Sequence, residues 1–206
     1  MLDYINGAVR LSLATFVLCG FAYPLAVTAV GQLVMPYRSN GSIVENADGR
    51  IVGSQLIGQE WIDPRWFHGR PSATVASDPN DPSKSVASPY NAANTTASNL
   101  GPTSAALQDR LTADRTRLQE AQPELAGKPL PADMLTASGS GLDPDISPAN
   151  ASLQVPRVAK ASGVPPEQIA ALVERHVTPR SLGIFGEPRI NVLELNLALE
   201  KAFSHK

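Results

Sequence analysis

Apolar and polar positions are segregated along this chain before they become periodic. Leu11 to Tyr37, "LSLATFVLCGFAYPLAVTAVGQLVMPY", contains no charged residue. About 20 apolar residues carry a helix across the hydrocarbon core, so 11–37 is expected to be a transmembrane helix with length to spare for tilt. Arg10 and Arg38 bracket it, and Tyr4, Tyr23 and Tyr37 are placed for an interface. A cleaved signal peptide is the rival reading, since Pro24 would end an h-region and "AVG" at 29–31 has a small-x-small form. The apolar run continues through Val34 and Met35, past the roughly 7–15 residues of such a region, which favours a retained anchor.

Beyond the run, periodicity returns in short pieces. "NGSIVENADGRIVGSQLIG" predicts a hairpin turning at Asp48-Gly49 between Ile43-Val44 and Ile51-Val52. "WIDPRWFHGRPSAT" is broken by Pro64 and Pro71 and fits neither a long helix nor a long strand. From Ser72 to Ser104 the sizeable aliphatics are Val75, Val86 and Leu100, too few for a core, so 74–98 is expected to be loop.

Four helices are predicted after it. The first spans 104–122, with Leu107, Leu111 and Leu118 on one face and Pro123 at its end. The second starts with Ser147 as N-cap and Pro148 inside, closes at Gly163, and is expected to kink or split at Pro156. The third runs from Pro166 to Val177 with Ile169, Leu172 and Val173 inward. The fourth is capped by Asn191 and draws its buried face from Val192, Leu195, Leu199 and Phe203. The expected class is α+β: one N-terminal transmembrane helix, then a single helix-rich soluble domain with a small β element. The expected division is a short cytoplasmic N-terminus at 1–10, the helix at 11–37 and an extracytoplasmic domain at 38–206.

Composition narrows the function. The one cysteine, Cys19, lies in the apolar run, which leaves the soluble part without a disulfide framework or a Cys-based zinc cluster. Of 17 basic and 19 acidic residues, all but Arg10 and Asp3 follow the run, so the body is mildly acidic. Such a surface has no reason to bind nucleic acid or anionic lipid. Lys and Arg are balanced at the two ends of the run, so charge bias gives no orientation. A Cys-free body, lacking Lys over 39–83, favours the outside.

The stretch "LTASGSGLDPDISPANA", 135–151, looks at first like a phosphate loop. Pro144 stands where a dinucleotide-binding G-x-G-x-x-G needs its third Gly, and the only Gly-Lys, at 127–128, is followed by Pro129. An EF-hand starting at Asp143 would have Pro148 at position six and Gln154 at position twelve. The plainer reading is a corner whose glycines supply unusual backbone angles. Catalytic sets are thin: His68, His176 and His205 are scattered, and there is no G-x-S-x-G elbow. His68 is the best acid–base candidate and Arg70 the best anion-pairing one, with structural roles the stronger expectation for both. No catalytic residue and no metal site is assigned. In the membrane segment Thr15, Cys19, Ala22, Ala26 and Ala29 follow a 4-3-4-3 spacing that would let another helix approach, with Gln32 near the end to bond across. A chance stripe in an Ala-rich helix explains that spacing equally well.

Six stretches in order resemble one family. They are "YPLAVTAVGQLVMPYRSNGSIV", "GSQLIGQEW", "FHGRPSA", "SNLGP", "LTASGSGLDPDISPANASLQVPRVAKA" and "GEPRINVLELNLAL". Together they resemble KdpC, the C chain of the potassium-transporting P-type ATPase, over most of residues 23–199. The resemblance implies a single-pass, non-motor subunit of a high-affinity potassium uptake complex in the inner membrane. Its partners would be a channel-like potassium-binding chain, a P-type ATP-hydrolysing chain and a small membrane peptide. The P-type phosphorylation sequence "DKTG" is absent here. The family is described as an assembly subunit or catalytic chaperone that raises the ATP affinity of the hydrolysing chain. No tightly bound cofactor is implied; ATP is the one small ligand that enters. The Gln of a "Q-x-x-R-V-A" stretch, matching Gln154, is implied in nucleotide contact, with Ser138 and Ser140 beside it. An extracytoplasmic body conflicts with direct contact to ATP, and the topology is the firmer of the two. His68, Arg70, Asp143 and Arg157 are the expected partner-contact residues. The alternatives are a membrane-anchored exported enzyme, or an envelope-binding module, using the His68/Arg70 region.

Overall fold

In the computed structural model, which describes residues 1–46 and 48–203, the chain divides into two compact units, Met1–Val44 and Glu45–Lys206. In the first, α1 (Leu2–Val17), a wide π-type turn (Leu18–Ala22) and α2 (Tyr23–Val34) form one unbroken helix. Its 33 residues, with a mean hydropathy of 1.9 in the most apolar window, are long and apolar enough to cross a membrane. The helix begins at Leu2 rather than Leu11, because Asp3 and Arg10 limit a hydrocarbon-buried stretch but do not interrupt backbone hydrogen bonding. It ends at Val34, short of Tyr37. Met35 precedes Pro36 and leaves helical geometry at φ −137°, as steric conflict with the proline ring requires. A short α3 (Pro36–Ser39) follows.

Pro24 explains the wide turn. It has no N–H to donate, and its ring would collide with the Gly20 carbonyl in a regular α turn. The backbone widens just before it, so that the Tyr23 N–H reaches Leu18 O. The wide turn carries one extra residue, so the expected stripe is only partly one face. Ala22, Ala26 and Ala29 stay aligned, and Thr15 falls out of phase with them.

In the second unit the polar segments are more ordered than their composition suggests. Where the chain passes from the first unit to the second, β1 (Ile43–Glu45) and β2 (Ile51–Ser54) form the expected hairpin. The Asn46 side chain accepts from the backbone of Asp48 and Arg50 at 3.1 and 2.9 Å. The expected loop at 74–98 contains a second hairpin, β3 (Val75–Ser77) antiparallel to β4 (Ser85–Ala87). Side-chain hydrogen bonds replace a core there. The Thr74 hydroxyl, 1% exposed, donates to Ser88 O at 2.6 Å and accepts from Asn91 N. Asp81 accepts from Ser83 N and pairs with Lys84 at 2.9 Å.

Helix α4 (Ala105–Ala121) has no fully buried residue. It lays Leu111 and Leu118 on a small core of Leu125, Met134 and Leu135, the last two from α5 (Ala132–Leu135). The main core is built by α6 (Pro148–Ser162), α7 (Pro166–Arg175) and α8 (Val192–Phe203). Beneath them β5 (Asp145–Ile146) pairs antiparallel with β6 (Ile190–Asn191), setting Ile146 opposite Ile190. The caps are as expected. Ser147 Oγ accepts from Asn150 N at 3.1 Å, Gly163 closes α6 at φ +72°, and Asn191 Oδ1 accepts from Glu194 N. Pro156 neither splits nor ends α6. It sits on the exposed side, and Val155, Val158 and Ala159 are buried around it. Their burial outweighs one missing backbone bond. Val192, Leu195 and Leu199 are buried on α8; the side chain of Phe203, and His205, lie outside the described residues.

Candidate functional site

The segment 61–70 runs as a strap over the main core. Trp61 and Trp66 meet edge to face with centroids 5.6 Å apart, and Phe67 beside them is fully buried. Beyond its turn at 63–66 the strap has backbone groups on both edges that need partners. Two side-chain amides supply them. On one side Asn196 of α8 accepts from Phe67 N at 2.8 Å and donates to Phe67 O at 2.9 Å. On the other, Gln154 of α6 accepts from His68 N at 2.8 Å and donates to His68 O at 3.0 Å. Each amide stands in for a neighbouring strand.

Gln154, 3% exposed, has no capacity left. Its Oε1 also accepts from Arg157 Nη2 at 2.6 Å, and its Nε2 also donates to Asn150 Oδ1 at 2.7 Å. Arg157 Nη1 donates to Pro64 O and Trp66 O at 2.5 and 3.0 Å. Burial lowers the Arg157 pKa to about 10, which leaves it cationic at neutral pH. The His68 ring faces Asp63 O at 3.2 Å and Arg157 at 3.4 Å. Burial first, and the nearby guanidinium second, hold His68 below its ordinary pKa, so its ring is neutral.

Farther along the strap Arg70 pairs with Asp143 at 2.9 Å, both side chains about a quarter exposed. Tyr90 donates to Arg70 O at 2.7 Å. Its pKa is pushed up to about 12 by burial and by Asp143, so it remains a donor. Asp143 belongs to the corner at 135–147, which stitches the unit together. Leu142 O accepts from Gly58 N at 2.8 Å, and Pro144 O accepts from Val192 N at 2.9 Å. Ser138 Oγ accepts from Gly141 N, and Ser140 Oγ accepts from Leu142 N. The Gly141 and Leu142 amides are therefore already used within the corner. Gly141 is the glycine the corner requires. At φ +72°, a Cβ there would lie 2.5 Å from Thr74 Cγ2 and 2.8 Å from Thr96 O.

The structure thus gathers the expected residues into one network. Gln154, His68 and Arg157 meet at one end of the strap; Arg70 and Asp143 meet at the other. Ser138 is buried in the corner and Ser140 lies on its surface. Arg70 lines two open clefts of about 380 and 690 Å³, the first floored by Trp61 and Tyr90, the second rimmed by Asp133 and Asp145. In the other unit, Gln32 Nε2 donates to Asn40 of the same chain at 3.3 Å. Asn196 and Asn150 were not anticipated. The signal for Asn196 was present: it is a polar residue on the inward face that Val192 and Leu199 define.

A family model described as "K+-transporting ATPase, c chain" matches residues 5–201. The chain belongs to the KdpC family. Among similar proteins, the KdpC subunit of a potassium-transporting ATPase from Rhodopseudomonas palustris is 55% identical over 202 residues, 98% of each chain. The KdpC subunit from Methylobacterium nodulans is 54% identical over 201 residues, again 98% of each. That from Bradyrhizobium diazoefficiens is 53% identical over 202 residues, with the same coverage. KdpC membership accounts for the order of the six stretches, and the geometry explains three of them. "FHGRPSA" is the strap, "LQVPRV" and "NVLELNLAL" carry its two amide clamps, and "LTASGSGLDPD" is the corner that receives Arg70.

Proposed function

We propose that this chain is the non-motor C subunit of an ATP-driven potassium-uptake complex, crossing the membrane once through Leu2–Val34. Its N-terminus faces the cytoplasm and its body lies outside. Its partners are a channel-like potassium-binding chain, a P-type ATP-hydrolysing chain and a small membrane peptide. Its role is assembly, with a chaperone-like effect on the ATP affinity of the hydrolysing chain. The observation that carries this reading is the internal use of the strap. His68, Arg70, Gln154 and Arg157 all bond within the body and hold it in one shape, as a rigid docking element needs. An exported enzyme built on His68 and Arg70 has less support for the same reason.

The effect on ATP then travels through assembly, without nucleotide touching Gln154. Fluorescent ATP should show no saturable binding to the purified full-length chain, while a tag on that chain should bring down a large multi-span protein from detergent extracts. Saturable binding that Gln154→Glu abolishes would restore direct contact. A tag that recovers no partner would end the subunit reading.

A further inference from the structure

Residues 75–98 include no buried side chain, yet they keep one defined path. Their hairpin closes on itself: Ser88 N donates to Thr74 O at 3.0 Å, and Asn91 Nδ2 donates to Val75 O at 2.8 Å. Tyr90 ties it to the strap. Its N–H donates to Ser72 Oγ at 3.0 Å and its hydroxyl to Arg70 O at 2.7 Å. The ring enters a slot that two glycines leave open. A Cβ on Gly58 would lie 2.6 Å from Tyr90 Cε1, and a Cβ on Gly69 would collide with the Tyr90 hydroxyl. Tyr90 itself holds φ +58°, left-handed backbone that a bulky side chain adopts only at a cost. Such a conformation persists where the surroundings over-determine it, and here the slot and the two hydrogen bonds do so.

A two-stranded hairpin alone in water is marginally stable, and segments with few buried apolar contacts are the first to open. Here one aromatic side chain carries the attachment to the strap. We propose that residues 75–98 form a flap that opens as a unit while the main core stays folded, and that Tyr90 in the Gly58–Gly69 slot is the latch that sets how often it opens. Access along the strap depends on the same residue. Pro89 and Tyr90 line two clefts, one beside Ile57 and Gln59 and the other beside Trp61 and His68. Release of Tyr90 joins them into one groove over the backbone of Gly58 and Gly69.

The test is limited digestion of the full-length, detergent-extracted chain with a lysine-specific endopeptidase. Lys84 is the first lysine of the sequence and lies in the turn between β3 and β4, its side chain 73% exposed. Cleavage proceeds through the opened state, so its rate follows the open population when reclosing is fast. Tyr90→Ala removes the latch, and Gly69→Ala crowds it out of the slot. Each should raise the rate of cleavage after Lys84 at least tenfold, with hydrogen exchange in α6, α7 and α8 unchanged. The nearest atoms that a Gly69 Cβ meets all belong to Tyr90, so Gly69→Ala should add nothing in a Tyr90→Ala chain. A wild-type cleavage rate in either single variant would overturn the latch, as would additive effects in the double. Faster exchange in α6, α7 and α8 alongside the cleavage would overturn the flap, since the whole unit would then be opening.

Discussion

At the scale of single residues, the strap's clamps are the most demanding positions in the body. Replacing Gln154 by Ala leaves the His68 backbone pair, Arg157 Nη2 and Asn150 Oδ1 without this partner. Unpartnered buried polar groups cost about 1–3 kcal/mol each before relaxation, so a net loss of about 3 kcal/mol is expected. Thermal unfolding of the detergent-extracted chain should register it; a loss below about 1 kcal/mol would mean that water replaces the amide. His68 gives a pH signature. Its pKa is lower folded than unfolded, so the unfolded chain binds the extra proton as pH falls below about 6.5. This contribution is fully present above that value and is lost on acidification toward the folded-state pKa. His68→Gln should flatten the fall in melting temperature below about pH 6.5; equal slopes for the two proteins would show that His68 is not the titrating group. Sequence pattern singled out His68 and Arg70 because their types stand out; Gln154 and Arg157 entered through the family resemblance. It could not tell an outward ligand from an inward clamp, since both need the same donors and acceptors.

Elements were legible where apolar periodicity carried them, as in α6, α7 and α8 with their caps. They were not legible where hydrogen bonds replaced burial. The β3–β4 hairpin rests on Thr74, Asn91 and Asp81, and such bonds leave no hydrophobic pattern. The wide turn before Pro24 was readable in principle, since the proline demands some distortion, but its effect on the stripe emerges only with the backbone. That effect sharpens one prediction. With Ala22, Ala26 and Ala29 as the aligned set, Ala22→Leu with Ala26→Leu should hold a neighbouring helix away while leaving the chain as apolar and as well inserted as before. Complex recovery and growth at limiting potassium should fall, and Val27→Leu should be tolerated. Full recovery with both alanines replaced would leave the helix as an anchor alone.

At the scale of the whole molecule the open quantity is orientation, because the charges near the helix ends give no bias. The helix is also longer than a span requires. Its 33 residues reach about 50 Å at 1.5 Å per residue, against a hydrocarbon core of about 30 Å. Leu2–Arg10, with Asp3 and Arg10, is therefore the part expected to project on the N-terminal side. The extracytoplasmic body proposed above would leave nucleotide acting from the other side of the membrane. The β3–β4 turn offers a clean probe. Ser83 is exposed, and its hydroxyl bonds to Asp81 of the same turn, so Ser83→Cys should fold normally. In a Cys19→Ala background, where the helix keeps a small residue and no other thiol remains, an impermeant maleimide should label intact spheroplasts to the same extent as lysed ones. Protection in intact cells with labelling only after lysis would put the body in the cytoplasm. The Gln154 region would then share a compartment with ATP, and only an occupied amide network would separate them.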